Sequence, residues 1–90
     1  MDLNQLRIRI DSIDQQITAL IGERMKVVRQ IGKYKKKNGI QITDTLREQA
    51  VIERVVSNGK KIGLSDKFIE NLFKLIMGEA KKIQLSKITK

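Results

Sequence analysis

From Asp2 to Asn38 the chain offers no helix-breaking pair, and its apolar side chains recur at Leu3, Leu6, Ile10, Ile13, Ile17 and Leu20, then at Ile21, Met25, Val28 and Ile31. Spacings of three and four put these side chains on one face of an α-helix; a strand would need alternation. The pattern therefore predicts a helix from about Asp2 to Asn38. At about 1.5 Å per residue it runs roughly 55 Å, longer than a compact domain of this size is wide. Such a helix must project, and its apolar stripe needs a second long helix beside it at a shallow angle. With 90 residues, 40% of them apolar, a lone chain covers only roughly 60 to 65% of its unfolded surface, so a second copy is the cheapest source of cover.

Asn38-Gly39 reads as the end of this helix, and Lys33, Lys35, Lys36 and Lys37 suit the negative end of its dipole. A second helix is expected from about Asp44 to Asn58, with Thr45-x-x-Glu48 as a capping box and Leu46, Ala50, Ile52, Val55 and Val56 on its apolar side. Asn58-Gly59 is expected to close it, and Gly63 to give a second turn. Ser65 then caps a third helix, with Leu64 placed to staple onto Ile69, and Phe68, Ile69, Leu72, Phe73, Ile76, Met77, Ala80 and Ile83 as its apolar face. Ser86 to Lys90 are expected to fray. The expectation is an all-α fold of three helices in one domain spanning residues 1–90.

The chain has no Cys and no His. That removes disulfides, the usual zinc ligands, a thiolate nucleophile and an imidazole base. No apolar run approaches the roughly 20 residues that cross a bilayer, and Met1-Asp2-Leu3-Asn4 lacks the layout of a signal peptide, so a soluble cytoplasmic protein is expected. The formal charge of +9 suits nucleic acid, an anionic membrane or a small anionic ligand equally well. Position has to decide.

Arg24, Val28, Ile31 and Lys35 lie at i, i+4, i+7 and i+11, so two cations bracket an apolar stripe. Phe73, Met77, Ala80 and Gln84 repeat the spacing on the third helix, with an amide at the end. Facing each other, the two rows make a pocket with apolar walls and a few converging donors, the general form of a small-molecule site, here one that favours an anion. Plainer readings stand beside this one. Lys and Arg stems often lie along apolar surface with the charge in water. The Lys33-to-Lys37 cluster suits a solvated helix end, Glu48 a capping partner and Asp44 a cap. Gln84 at an inward position costs stability unless it is bonded. Gly22 and Gly32 each cost about 1 kcal/mol within a helix relative to Ala, for which close approach of another backbone gives a reason.

Taken in order, Leu6-Arg7, Ile10-Asp11-Ser12-Ile13-Asp14, Leu20-Ile21-Gly22-Glu23-Arg24, Ile31-Gly32-Lys33-Tyr34-Lys35, Asp44-Thr45-Leu46-Arg47-Glu48 and Phe73-Lys74-Leu75-Ile76 resemble the all-helical chorismate mutases, over nearly the whole chain and without an insertion. The resemblance implies an interlocked homodimer with two sites, each built largely in one chain. It implies that Arg7 is lent across the interface and joins Arg24 and Arg47 on the two carboxylates of chorismate. Lys35 would bond the ether oxygen and a carboxylate, Gln84 the same ether oxygen from the opposite side, and Glu48 would accept from the ring hydroxyl, with Asp44 nearby. The implied reaction is the Claisen rearrangement of chorismate to prephenate, with no metal or cofactor. Ala80 stands where some relatives have a serine hydroxyl near a substrate carboxylate, which implies weaker binding. Gln84, as an amide, implies a flat rate profile near neutrality.

Two other readings stay open at this stage. One is a lyase on the same fold that removes pyruvate from isochorismate. The other is a non-catalytic module: a ligand-sensing domain of an aromatic-pathway enzyme, or a basic helical dimer on nucleic acid. One Tyr and two Phe leave little to stack on bases, which weighs against the last. A fusion or a partner enzyme of the same pathway is compatible with the chain.

Overall fold

The computed structural model describes residues 1–86. It is all-α: α1 Leu3–Lys37, α2 Thr45–Lys61 and α3 Asp66–Leu85. The first helix starts on a capping box, in which the Asp2 carboxylate accepts from the Gln5 N–H and the Gln5 side chain accepts from the Asp2 N–H, both at 2.9 Å. It ends as expected at Asn38, where Gly39 takes φ +64° and the Ile40 N–H returns to the Lys35 carbonyl at 2.8 Å. Ser65 caps α3 by accepting from the Phe68 N–H at 3.3 Å. The helix runs to Leu85 with Ser86 as its C-cap, so the expected fraying lies, from residue 87 on, outside the described residues.

The second helix starts where expected, at Asp44, but lacks the expected capping box and ends later. Its N-cap is Asp44, whose side chain accepts from the Arg47 N–H at 3.0 Å. A carboxylate one residue earlier takes the orphan N–H, so Thr45 falls inside the helix and the Thr45–Glu48 box does not form. Asn58-Gly59 does not close α2, which continues to Lys61 and stops at Gly63, φ +82°. There the Leu64 N–H reaches the Gly59 carbonyl at 2.9 Å.

Gly59 is glycine for room rather than for a turn. A Cβ on it would stand 3.0 Å from the Ile69 Cγ1 and 3.6 Å from the Leu64 Cβ, and Ile69 is itself buried. Gly59→Ala gains about 1 kcal/mol of helix propensity and forces an overpacked contact costing about 1–3 kcal/mol. A net loss of about 1 kcal/mol is expected, read as a lower Tm; an unchanged or raised Tm would show that α3 has slack here.

Each of α1 and α2 packs on α3, and among the described residues the two do not pack on each other. The result is thin and long, 55 × 28 × 14 Å. Met25, Val28 and Ala80 form its central cluster, joined by Ile76 and Ile83. Val51 and Ile69 are the other buried apolar side chains among the described residues. The N-terminal half of α1 contributes nothing to this core. Leu3, Leu6, Ile10, Ile13, Ile17, Leu20 and Ile21 stay 37% to 63% exposed in a continuous stripe, far more apolar surface than a stable monomer presents on one helix.

Candidate active site

A cavity of about 520 Å³ opens between α1, α2 and the segment that joins them, with α3 as its back wall. Its size is that of a small-molecule site. From α1 come Arg24, Val27, Val28, Ile31 and Lys35; from the connection, Ile42 and Asp44. Arg47, Glu48, Val51 and Arg54 enter from α2, and Met77, Ala80, Lys81 and Gln84 from α3. Seven residues singled out from the sequence thus meet in one place: Arg24, Lys35, Asp44, Arg47, Glu48, Ala80 and Gln84.

Arg7 is not among them. It is exposed on the projecting half of α1, about 25 Å along the axis from Arg24 at about 1.5 Å per residue, and no rotamer spans that gap within one chain. Phe73 also lies off the cavity, although the row through Met77, Ala80 and Gln84 included it. It sits about 16 Å down α3 from Gln84, one turn beyond the Met77 floor.

The walls are apolar and the rim is cationic. Arg24, Lys35, Arg47, Arg54 and Lys81 face two carboxylates, Asp44 and Glu48. The Arg24 guanidinium is held below its ordinary value first by burial and then by the repulsion of Arg47 and Arg54. An arginine stays charged at neutral pH regardless, so this crowding is a cost that an anion would relieve. Lys35 spends one proton on the Ile42 carbonyl at 3.0 Å. That bond ties the end of α1 to the connection and leaves two N–H donors for a ligand.

Gln84 is fixed from behind. A Cβ on Gly32 would stand 3.1 Å from the Gln84 Cγ and 3.4 Å from its Cα, so the missing side chain at Gly32 lets α3 lie against α1, as the sequence suggested. Gly22 meets nothing within 4 Å in the same chain. The Gln84 Oε1 is buried and has no hydrogen-bond partner. An orphaned buried amide atom costs about 1–3 kcal/mol, and a half-turn about the last side-chain bond would exchange it for Nε2, a donor.

Arg54 and Lys81 were missed in the sequence. Arg54 follows Arg47 by seven residues, two turns along the same face, and Lys81 follows Met77 by four. Two turns from Arg47 and one turn from Met77 would have reached them. Among the described residues no three or more Asp or Glu side chains cluster as a metal site would need, and no helix is long and apolar enough to cross a membrane.

The family model described as chorismate mutase type II matches residues 6–85. The chain is 38% identical over 79 residues to the bifunctional chorismate mutase/prephenate dehydratase of Buchnera aphidicola subsp. Schizaphis graminum, a match that covers 88% of this chain and 20% of that protein. It is 33% identical over 78 residues to the T-protein of Haemophilus influenzae, covering 87% and 21%. Identity to the bifunctional chorismate mutase/prephenate dehydratase of Escherichia coli is 32% over 75 residues, covering 83% and 19%. The chain spans about a fifth of the length of these relatives.

Proposed function

The chain belongs to the chorismate mutase type II family, and from that premise we propose that it rearranges chorismate to prephenate, in aromatic amino acid biosynthesis, at a site completed by a second copy of itself. The observation that carries this reading is the convergence of Arg24, Lys35, Arg47 and Gln84 on one cavity with apolar walls.

Chorismate carries two carboxylates and an ether bridge that breaks as a carbon–carbon bond forms. The electrons move around a closed ring, so no proton transfer, nucleophile, metal or cofactor is called for. What a protein can contribute is conformation and field. Guanidinium forks on Arg24 and Arg47 hold carboxylates by paired N–H bonds, which fix orientation as well as charge. Holding both carboxylates selects the compact diaxial conformer, in which the reacting carbons approach. Lys35 and Gln84 then bear on the ether oxygen, which gains negative charge in the transition state. Glu48 accepts from the ring hydroxyl, with Asp44 beside it at the start of α2. Arg7, out of reach in its own chain, serves the site of a second copy packed along the exposed stripe of α1. Two of the relatives carry the mutase name joined to prephenate dehydratase, so a fusion or partner that consumes prephenate suits the chain.

The test is to supply purified protein with chorismate and, separately, with isochorismate, and to identify the products, with sedimentation giving the mass. Prephenate from chorismate, a dimer mass and a rate that is flat between pH 6 and 8 are expected, since no cavity side chain is a histidine. Pyruvate from isochorismate alone would make the chain a lyase, and tight prephenate binding without turnover would make it a sensor.

A further inference from the structure

A pocket that grips a dianion has an electrostatic reason to exclude carboxylates, yet Asp44 and Glu48 both line this one. Asp44 is compensated where it stands. As the N-cap of α2 it accepts from the Arg47 N–H at 3.0 Å and lies at the positive end of the helix dipole. Glu48 stands one turn further along. Its Oε2 lies 3.3 Å from the Nζ of Lys81, a cavity residue on α3.

Of the ion pairs among the described residues, this one alone has both partners in the cavity. Both side chains are 36% exposed, and pairs so exposed add little to stability, so its consequence is sought in the site. Ala80 is buried in the cluster that α3 shares with α1, and the next residue points about 100° further round the helix, which brings Lys81 to α2. Its charge is committed to Glu48. Arg24, Arg47 and Arg54 have no carboxylate partner among the described residues, so theirs remain available to a ligand.

We propose that Lys81 is a positioning residue: it neutralises and holds Glu48, so that this carboxylate accepts a hydrogen bond from the substrate hydroxyl without repelling the substrate's own carboxylates. The pair uses Oε2 and leaves Oε1 as the acceptor. The inference rests on the mutase reading, and its test keeps the two apart.

Lys81→Met keeps the stem and removes the charge. Steady-state kinetics with chorismate are to be compared for the wild type, Lys81→Met, Lys81→Arg, Glu48→Gln and the Glu48→Gln/Lys81→Met double variant. Calorimetric affinity for a bicyclic diacid mimic of the transition state is measured on the same set. An uncompensated carboxylate near the dianion is expected to raise KM and weaken mimic binding about tenfold, with kcat within about threefold. Lys81→Arg is expected to restore both. In the Glu48→Gln background the Lys81→Met change is expected to shrink below about twofold, because the charge it compensated is gone. An equal loss in that background would mean that Lys81 touches the ligand itself, and no loss in Lys81→Met would mean that Glu48 needs no compensation; either overturns the proposal. If the wild type binds the mimic but does not convert chorismate, the mutase reading fails and the affinities still judge Lys81. If it does neither, both fall.

Discussion

Lys35→Ala is expected to lower kcat/KM for chorismate by about 10²- to 10³-fold, the effect of removing one preorganised donor from a developing oxyanion. Lys35 is half-buried at the end of an apolar stripe, and a charge partly withdrawn from water acts more strongly on a neighbouring atom than one in bulk solvent. Its bond to the Ile42 carbonyl fixes the Nζ before any ligand arrives, so little reorganisation is left for the moment of reaction. The loss should fall mainly on kcat, because charge on the ether oxygen exists in the transition state and hardly in the ground state. Removing the Ile42 bond loosens the α1–α2 connection, so helicity and mass have to be measured beside the kinetics. A folded, dimeric variant with near-normal turnover would take Lys35 out of the mechanism.

Arg7→Ala is expected to cost about 10²-fold in kcat/KM, despite a side chain about 25 Å from the cavity of its own chain. Mixing decides how it acts. Neither Arg7→Ala nor Lys35→Ala homodimers contain a complete site. A heterodimer contains one, in which the chain with Lys35 receives Arg7 from the other. Equal amounts, allowed to exchange subunits, are therefore expected to recover about a quarter of wild-type activity, half the dimers having one of two sites restored. If the mixture stays as inactive as its components, Arg7 acts within its own chain or through folding, and the shared site is wrong. On the shared-site reading, the exposed stripe from Leu3 to Ile21 is the surface that a second copy would cover.

The helices were legible where one residue has one task. Asn38-Gly39 and Ser65 have nothing to do but cap, and they cap. Gly59 was misread because a glycine after an asparagine looks like a stop, whereas its neighbours Ile69 and Leu64 are brought there only by the third helix. Asp44 caps the second helix, as the plainer reading of it had it, and Thr45 does not, a carboxylate being the better cap. In the site, angular position was legible and axial position was not. Arg24, Lys35 and Gln84 were placed by their faces; Phe73 shares a face but not a level. Arg54 and Lys81 went unseen because a charged residue on a helix is by default a solvated one, and only the meeting of α2 with α3 gives Lys81 a partner.

Among the described residues the first and second helices each pack on the third and not on each other, so the third is a spine with one helix on either side. On the proposed reading, a dianion held by Arg24 from the first helix and Arg47 from the second would act as a keystone, adding a second brace to the Lys35–Ile42 bond. Occupancy and rigidity are then thermodynamically linked, each tenfold excess of ligand over its dissociation constant adding about 1.4 kcal/mol of resistance to unfolding. Catalysis and architecture draw on the same few guanidinium groups.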